Sequence, residues 1–167
     1  MSSSSALVVA TFLALAEANE LQATDAWREH LATPEALAEY LGCIENGQSF
    51  GPLAGDRGIG TFGGSQDHTA IVCCRAGQVS RYSFAPVTFE GATPWPDGME
   101  LVVAVSGVRS RKSGPQQAAF NRLSVGTREF LRKWREASGS EAATLAVAAA
   151  EPGAARAIEG LLEASTD

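Results

Sequence analysis

Between Gly51 and Gly64 the chain reads GPLAGDRGIGTFGG, six glycines in fourteen residues. Neither a helix nor a strand tolerates that density. Each glycine has more backbone freedom to lose on folding and offers no side chain to pack. Residues 48–65 therefore read as one long loop, and loops of this length in compact domains are functional or disordered. Three residues after the Gly63-Gly64 pair comes one carboxylate, Asp67, and then an apolar run that begins as a helix would. A glycine loop lets backbone approach a ligand closely. A carboxylate at its mouth is a candidate general base or charge stabiliser. The competing reading is a surface loop with Asp67 capping a helix N-terminus.

The segments around this loop have clear local signals. Ser2 to Ser5 precede Leu7, Val8, Thr11, Phe12, Leu15 and Ala16, which follow helical spacing with few polar breaks. This predicts a largely buried helix with a serine N-cap. Thr33-Pro34 opens a second helix on Leu37, Tyr40, Leu41 and Ile44, running to about Glu45 and stopped by Asn46-Gly47. Gln66 to about Cys74 reads as helix. Gln78 to Phe84 alternates as a strand that Val87 to Phe89 continue, and Pro94 to Gly98 is turn chemistry. Met99 to Ser106 (MELVVAVS) is short, β-branched and flanked by glycines, as a buried strand would be. Helices are expected over about 116–137, in the Ala-rich stretch to Glu151, and again to about Ala164.

The 167 residues suffice for one domain with a sizeable core, and the composition suits a soluble α/β or α+β protein. A net charge of −6 gives no sign of general nucleic-acid affinity. Eight of the 13 basic residues nonetheless lie between Arg109 and Arg135, with Glu129 the only acid among them. That span is either a solvated helix face or a patch for phosphate or an acidic partner. Cys43, Cys73 and Cys74 are odd in number and lack C-x-x-C spacing, which points to reduced thiols in a cytoplasmic protein. Cys73 and Cys74 read as core residues, with a vicinal redox pair as the sharper alternative. His30 and His68 read as structural or exposed. A Ser/His/Asp hydrolase site over residues 63–68 is excluded, because neighbours on one helix diverge while triads assemble from distant segments. No basic region precedes the apolar residues 6–16, and Glu17 and Glu20 follow, which argues against a signal peptide or membrane span.

A serine-rich helix start is suited to phosphate, and a carboxylate near it suits phosphoryl transfer to an alcohol. Here the sequence resembles the GHMP small-molecule kinases, galactokinases in particular. Ser2 to Ala10, SSSSALVVA, resembles their second motif, G-L-S-S-S-A-A-L-E-V-A, with Met1 in place of the Leu. Ile44-Glu45-Asn46 resembles the A-E-N or A-E-H segment. Gly64-Ser65-Gln66-Asp67-His68 resembles G-I-M-D-Q, with His68 in place of Gln. Ala104 to Arg109 resembles the strand ending N-S-G-V-R, and Asn121-Arg122 the start of the Y-N-x-R-R helix. The matches are ordered and cover about residues 1–135.

The resemblance implies an incomplete GHMP kinase α+β fold, of the ribosomal protein S5 domain 2-like type. Residues 1–137 would form its central part and residues 138–167 the start of its helical C-terminal part. It implies an ATP-dependent sugar kinase, with ATP and Mg²⁺ as cofactors, a sugar 1-phosphate as product, and neither nucleic acid nor membrane as partner. Ser2, Ser3, Ser4 and Ser5 would contact the β- and γ-phosphates, with the Ser4 hydroxyl reaching Mg²⁺ and Glu45 as its second ligand. Asp67 would be the catalytic carboxylate facing the sugar hydroxyl, with backbone at Gly63 and Gly64 against the sugar. Neither the family's opening G-R-x-N-L-I-G-E-H-T-D-Y motif nor its closing G-A-G-F-G-G motif is present. A fragment of a longer kinase is therefore expected. The alternative is a non-catalytic kinase remnant that binds a sugar or a partner.

Overall fold

In the computed structural model, which describes residues 2–60, 62–108 and 115–163, the chain divides into two compact units, Met1–Lys112 and Ser113–Asp167. The division falls ahead of the long basic helix.

The first unit opens on α1 (Ser3–Ala18), where Ser2 is still extended and its hydroxyl accepts the Ser5 N–H. A 3₁₀ turn (Leu21–Ala23) leads to α2 (Asp25–His30), capped by the Thr24 hydroxyl. Thr33 caps α3 (Pro34–Asn46) by accepting the Ala36 N–H, and Gly47, in the left-handed conformation, ends it. After the glycine loop come α4 (Gln66–Cys73) and an antiparallel hairpin, β1 (Gln78–Phe84) and β2 (Val87–Pro94). Gln78 faces Pro94 and Phe84 faces Val87, with a bulge between Arg81 and Tyr82. The architecture is α+β: among the described residues, helices with one small two-stranded antiparallel sheet.

The core of this unit is Val9, Leu37 and Leu41, with Val8, Phe12, Trp27, Tyr40 and Val72 packed around them. Phe12 stacks on Trp27 and meets the edge of Tyr40, and Tyr40 meets Phe50 of the glycine loop. Three polar ties hold the hairpin to the helices, one of them the Tyr82 hydroxyl donating to the Cys73 carbonyl (3.3 Å). Glu39 accepts the Val87 N–H (3.0 Å), and Ser65 Oγ donates to the Phe84 carbonyl (3.0 Å).

Three expectations need correction. The helix α1 is not largely buried: Val9 and Ala16 face the core, but Leu7, Leu13 and Leu15 are exposed. The helix is apolar on every side, and α3 and α4 cover only part of it. Residues 87–94 do not continue the first strand; they turn at Ala85-Pro86 and pair back against it. Met99 to Ser106 forms no strand, and Leu101, Val102, Val103 and Val105 are exposed. A strand needs a neighbour to take its N–H and C=O groups, and among the described residues the hairpin pairs only with itself.

The second unit holds α5 (Pro115–Ser138), α6 (Leu145–Ala149) and α7 (Ala154–Glu163). The Ala-rich helix is thus a short one, opened by Thr144. Leu131 and Trp134 of α5 form a core with Ala142, Ala148 and Ala154. Part of the basic charge is used internally: Arg132 pairs with Glu129 and Glu136, and Arg135 donates twice to the Ala142 carbonyl. Arg109, Arg111 and Lys112 lie outside the described residues. No described helix is long and apolar enough to cross a membrane.

Candidate functional site

The last turn of α3 carries three adjacent anchors: the Glu45 side chain, the Glu45 carbonyl and the Asn46 side chain. Both polar side chains are buried. Burying them without partners would cost roughly 1–3 kcal/mol per group. Each one is answered by a segment far along the chain.

Glu45 faces α1 and α4. Ser5 Oγ donates to its Oε2 at 2.8 Å, and His68 Nε2 lies 2.8 Å from the same oxygen. The histidine contact is close but not aligned as a hydrogen bond, and His68 Nδ1 has no partner among the described residues. His68 is 2% exposed. Burial lowers its proton affinity below the ordinary value of 6.5, and the charges of Glu45 and Asp67 only partly oppose this. A neutral imidazole therefore sits against a carboxylate. Behind Ser5, the Ser2 hydroxyl lies 3.0 Å from Ser5 Oγ and 3.1 Å from Ser4 Oγ. The serine tract is thus tied to Glu45 through Ser5, while the Ser4 hydroxyl bonds within the tract.

The glycine loop is anchored to this turn at both ends. Ile59 N–H donates to the Glu45 carbonyl (2.9 Å), and Phe50 and Leu53 exchange two hydrogen bonds farther out. Gly58 is left-handed (φ 63°), and a Cβ there would stand 2.4 Å from the Gly47 nitrogen. Only glycine lets the two backbones come so close. Asn46 then grips Gly63: its Nδ2 donates to the Gly63 carbonyl (2.6 Å) and its Oδ1 accepts the Gly63 N–H (2.7 Å). The stretch is a closed Ω-type loop rather than an open cradle.

Beyond Gly63 the chain changes character. Gly63 and Gly64 are exposed, neither has a positive φ, and a Cβ at either would meet nothing within 4 Å. Gly63 spends both backbone groups on Asn46, so Gly64 is the member of the pair whose backbone is bare. Ser65, not Asp67, is the N-cap residue of α4, and its hydroxyl goes to Phe84 instead of capping. The alternative role of Asp67 as an N-cap therefore does not hold. Asp67 lies half-buried in the first turn of α4, where the helix dipole favours a negative charge. Its carboxylate makes no hydrogen bond or ion pair among the described residues.

The structure thus brings together Ser2, Ser4, Ser5, Glu45 and the turn bearing Asp67. The sequence marked Asn46 only as part of a helix stop and of the Ile44-Glu45-Asn46 segment, and His68 as structural or exposed. The signal for both was their place beside a singled-out carboxylate: Asn46 follows Glu45, and His68 follows Asp67. Cys73 is buried, with its thiol pushed up to about 11 by burial and by Glu35, whereas Cys74 is exposed.

A hydroxyl and a carboxylate oxygen 2.8 Å apart are hard oxygen donors of the kind Mg²⁺ takes alongside phosphate oxygens. Among the described residues, no group of three or more His, Cys, Asp or Glu could hold a metal by itself. Comparison with protein families, curated proteins and solved structures finds no match to this chain.

Proposed function

We propose that the chain carries the phosphate-binding and sugar-facing elements of a galactokinase-like sugar kinase, with a GHMP kinase fold. One observation supports this above the others. Three segments that separately resemble galactokinase motifs meet at one oxygen, Glu45 Oε2: the serine tract through Ser5, the Ile44-Glu45-Asn46 segment itself, and the Gly64–His68 turn through His68. On this reading the start of α1 offers hydroxyls and free N–H groups to the ATP phosphates. Glu45 and a serine hydroxyl, Ser5 by distance, hold Mg²⁺. Bound MgATP supplies the γ-phosphoryl group and neutralises its charge. Asp67, without a hydrogen bond or ion pair among the described residues, accepts the proton of the sugar hydroxyl as the sugar oxygen bonds to the γ-phosphorus and the bond from that phosphorus to the departing ADP oxygen breaks. Gly64 gives the sugar a bare stretch of backbone.

Calorimetric titration of the 167-residue chain with MgATP and with galactose tests the reading. Heat is expected with both, and Glu45→Gln should weaken MgATP about tenfold or more, roughly 1.4 kcal/mol. No heat with either ligand overturns it in favour of a non-catalytic remnant.

A further inference from the structure

Asn46 does something that nearby polar groups do not: it takes both backbone groups of one residue on another segment. A carboxamide presents a donor and an acceptor side by side, as a neighbouring strand residue would. Asn46 is buried, and its two contacts with Gly63 measure 2.6 and 2.7 Å. Two residues on, Ser65 is fixed in turn. Its hydroxyl holds the Phe84 carbonyl, and its own carbonyl accepts both the N–H and the hydroxyl of Thr69. Gly64 is the single link between the two fixed points, and Asp67 follows two residues after Ser65, in the first turn of α4.

We propose that Asn46 is a positioning residue, setting where the Gly64 backbone and the Asp67 carboxylate stand relative to Glu45. Glu45 and Asn46 are consecutive on α3, so one helical turn fixes both halves of the site: Glu45 holds the serine tract and Asn46 holds the sugar-facing turn. This rests on the kinase reading for what the site binds, but not for the clamp itself. Asn46 would govern sugar binding without touching sugar, and leave the phosphate side alone.

Two variants of the full chain, Asn46→Ala and Asn46→Asp, test this by amide hydrogen exchange and by titration. In Asn46→Ala, exchange at the Gly63 amide, and at the Thr69 amide that donates to Ser65, should rise about tenfold or more, while α1 keeps its protection. Galactose should weaken about tenfold, with MgATP changed less than about twofold. Asn46→Asp keeps the acceptor for the Gly63 N–H but loses the donor, so Gly63 should stay protected and galactose affinity should fall less. Should the alanine variant lose its helical signal, the ligand comparison in the aspartate variant decides. Equal loss of both ligands in either variant, or unchanged exchange at Gly63 in Asn46→Ala, overturns the proposal. If the wild-type chain binds neither ligand, the kinase reading fails. Exchange then decides the clamp: a rise at both Gly63 and Thr69 retains it, and a rise confined to Gly63 ends it.

Discussion

The last turn of α3 and the segment 99–108 belong to the same unit, yet each carries side chains that its surroundings would not predict. Glu45 and Asn46 are polar and buried. Met99, Leu101, Val102, Val103, Val105 and Val108 are apolar and exposed, Val102 at 85%. Polarity alone does not decide burial here; the presence of partners does. Glu45 has a serine hydroxyl and an imidazole waiting from α1 and α4, and Asn46 has a whole backbone unit. Among the described residues of its unit, the apolar segment has no strand beside it and no helix over it. A buried polar group with its partners in place is stable, while an apolar β-prone run without a neighbouring strand is not yet a structural element.

The largest expected effect measures this contrast directly. Leu41 is 0% exposed at the centre of the first unit, so Leu41→Ala should cost about 2–5 kcal/mol in urea unfolding. Val102→Ala should change stability by no more than about 0.5 kcal/mol. A comparable loss at both positions would mean that residues 99–106 are packed in solution, and the comparison would break.

A smaller effect concerns the polar side of the comparison. Because burial lowers the proton affinity of His68 in the fold, acidification through about 6.5 protonates the unfolded chain first. The unfolded state then holds the extra proton, and stability falls as pH drops from about 6.5 toward the lowered folded value. One such group contributes at most about 1.4 kcal/mol per pH unit. His68→Gln should remove that contribution, so its Tm should fall less than the wild type's between about pH 7.5 and about pH 5.5. Equal falls would show that His68 is not the residue resisting the proton.

These regions also show what kind of information the sequence carried. Thr33, Pro34 and Gly47 bounded α3 correctly because caps act within one turn of themselves. Gln66 opened α4 where expected, and β1 matched residue for residue from Gln78 to Phe84. The extended glycine stretch was legible as a loop, but its closure was not. Closure depends on Ile59 reaching the Glu45 carbonyl and on Asn46 reaching Gly63, and neither contact leaves a periodic trace. The exposure of Leu7, Leu13 and Leu15 was equally hidden, since a helix apolar on all sides does not say how many sides will be covered. His68, read as structural or exposed, is buried, but its partner was hidden for a related reason: one histidine beside an aspartate gives no hint of a glutamate contact made from another helix.

The smallest expected stability effect carries the most functional weight. At Gly58 the chain itself needs glycine, because the backbone is left-handed and Gly47 is in the way. At Gly64 the chain supplies no such reason: φ is ordinary and an added methyl would enter open space. Gly64→Ala should therefore leave stability within about 0.5 kcal/mol of wild type. If that bare backbone is a surface for sugar, the same methyl stands in the ligand's way, and galactose affinity should fall about tenfold, roughly 1.4 kcal/mol. Calorimetry on one variant thus separates two causes of a glycine. A loss of stability would place an undetected internal contact at residue 64. A loss of galactose binding at constant stability would mean that the glycine is needed by something outside the chain. If neither changes, the backbone at Gly64 is not a ligand surface, and the sugar-facing side of the proposed site must be sought elsewhere than at the turn leading to Asp67.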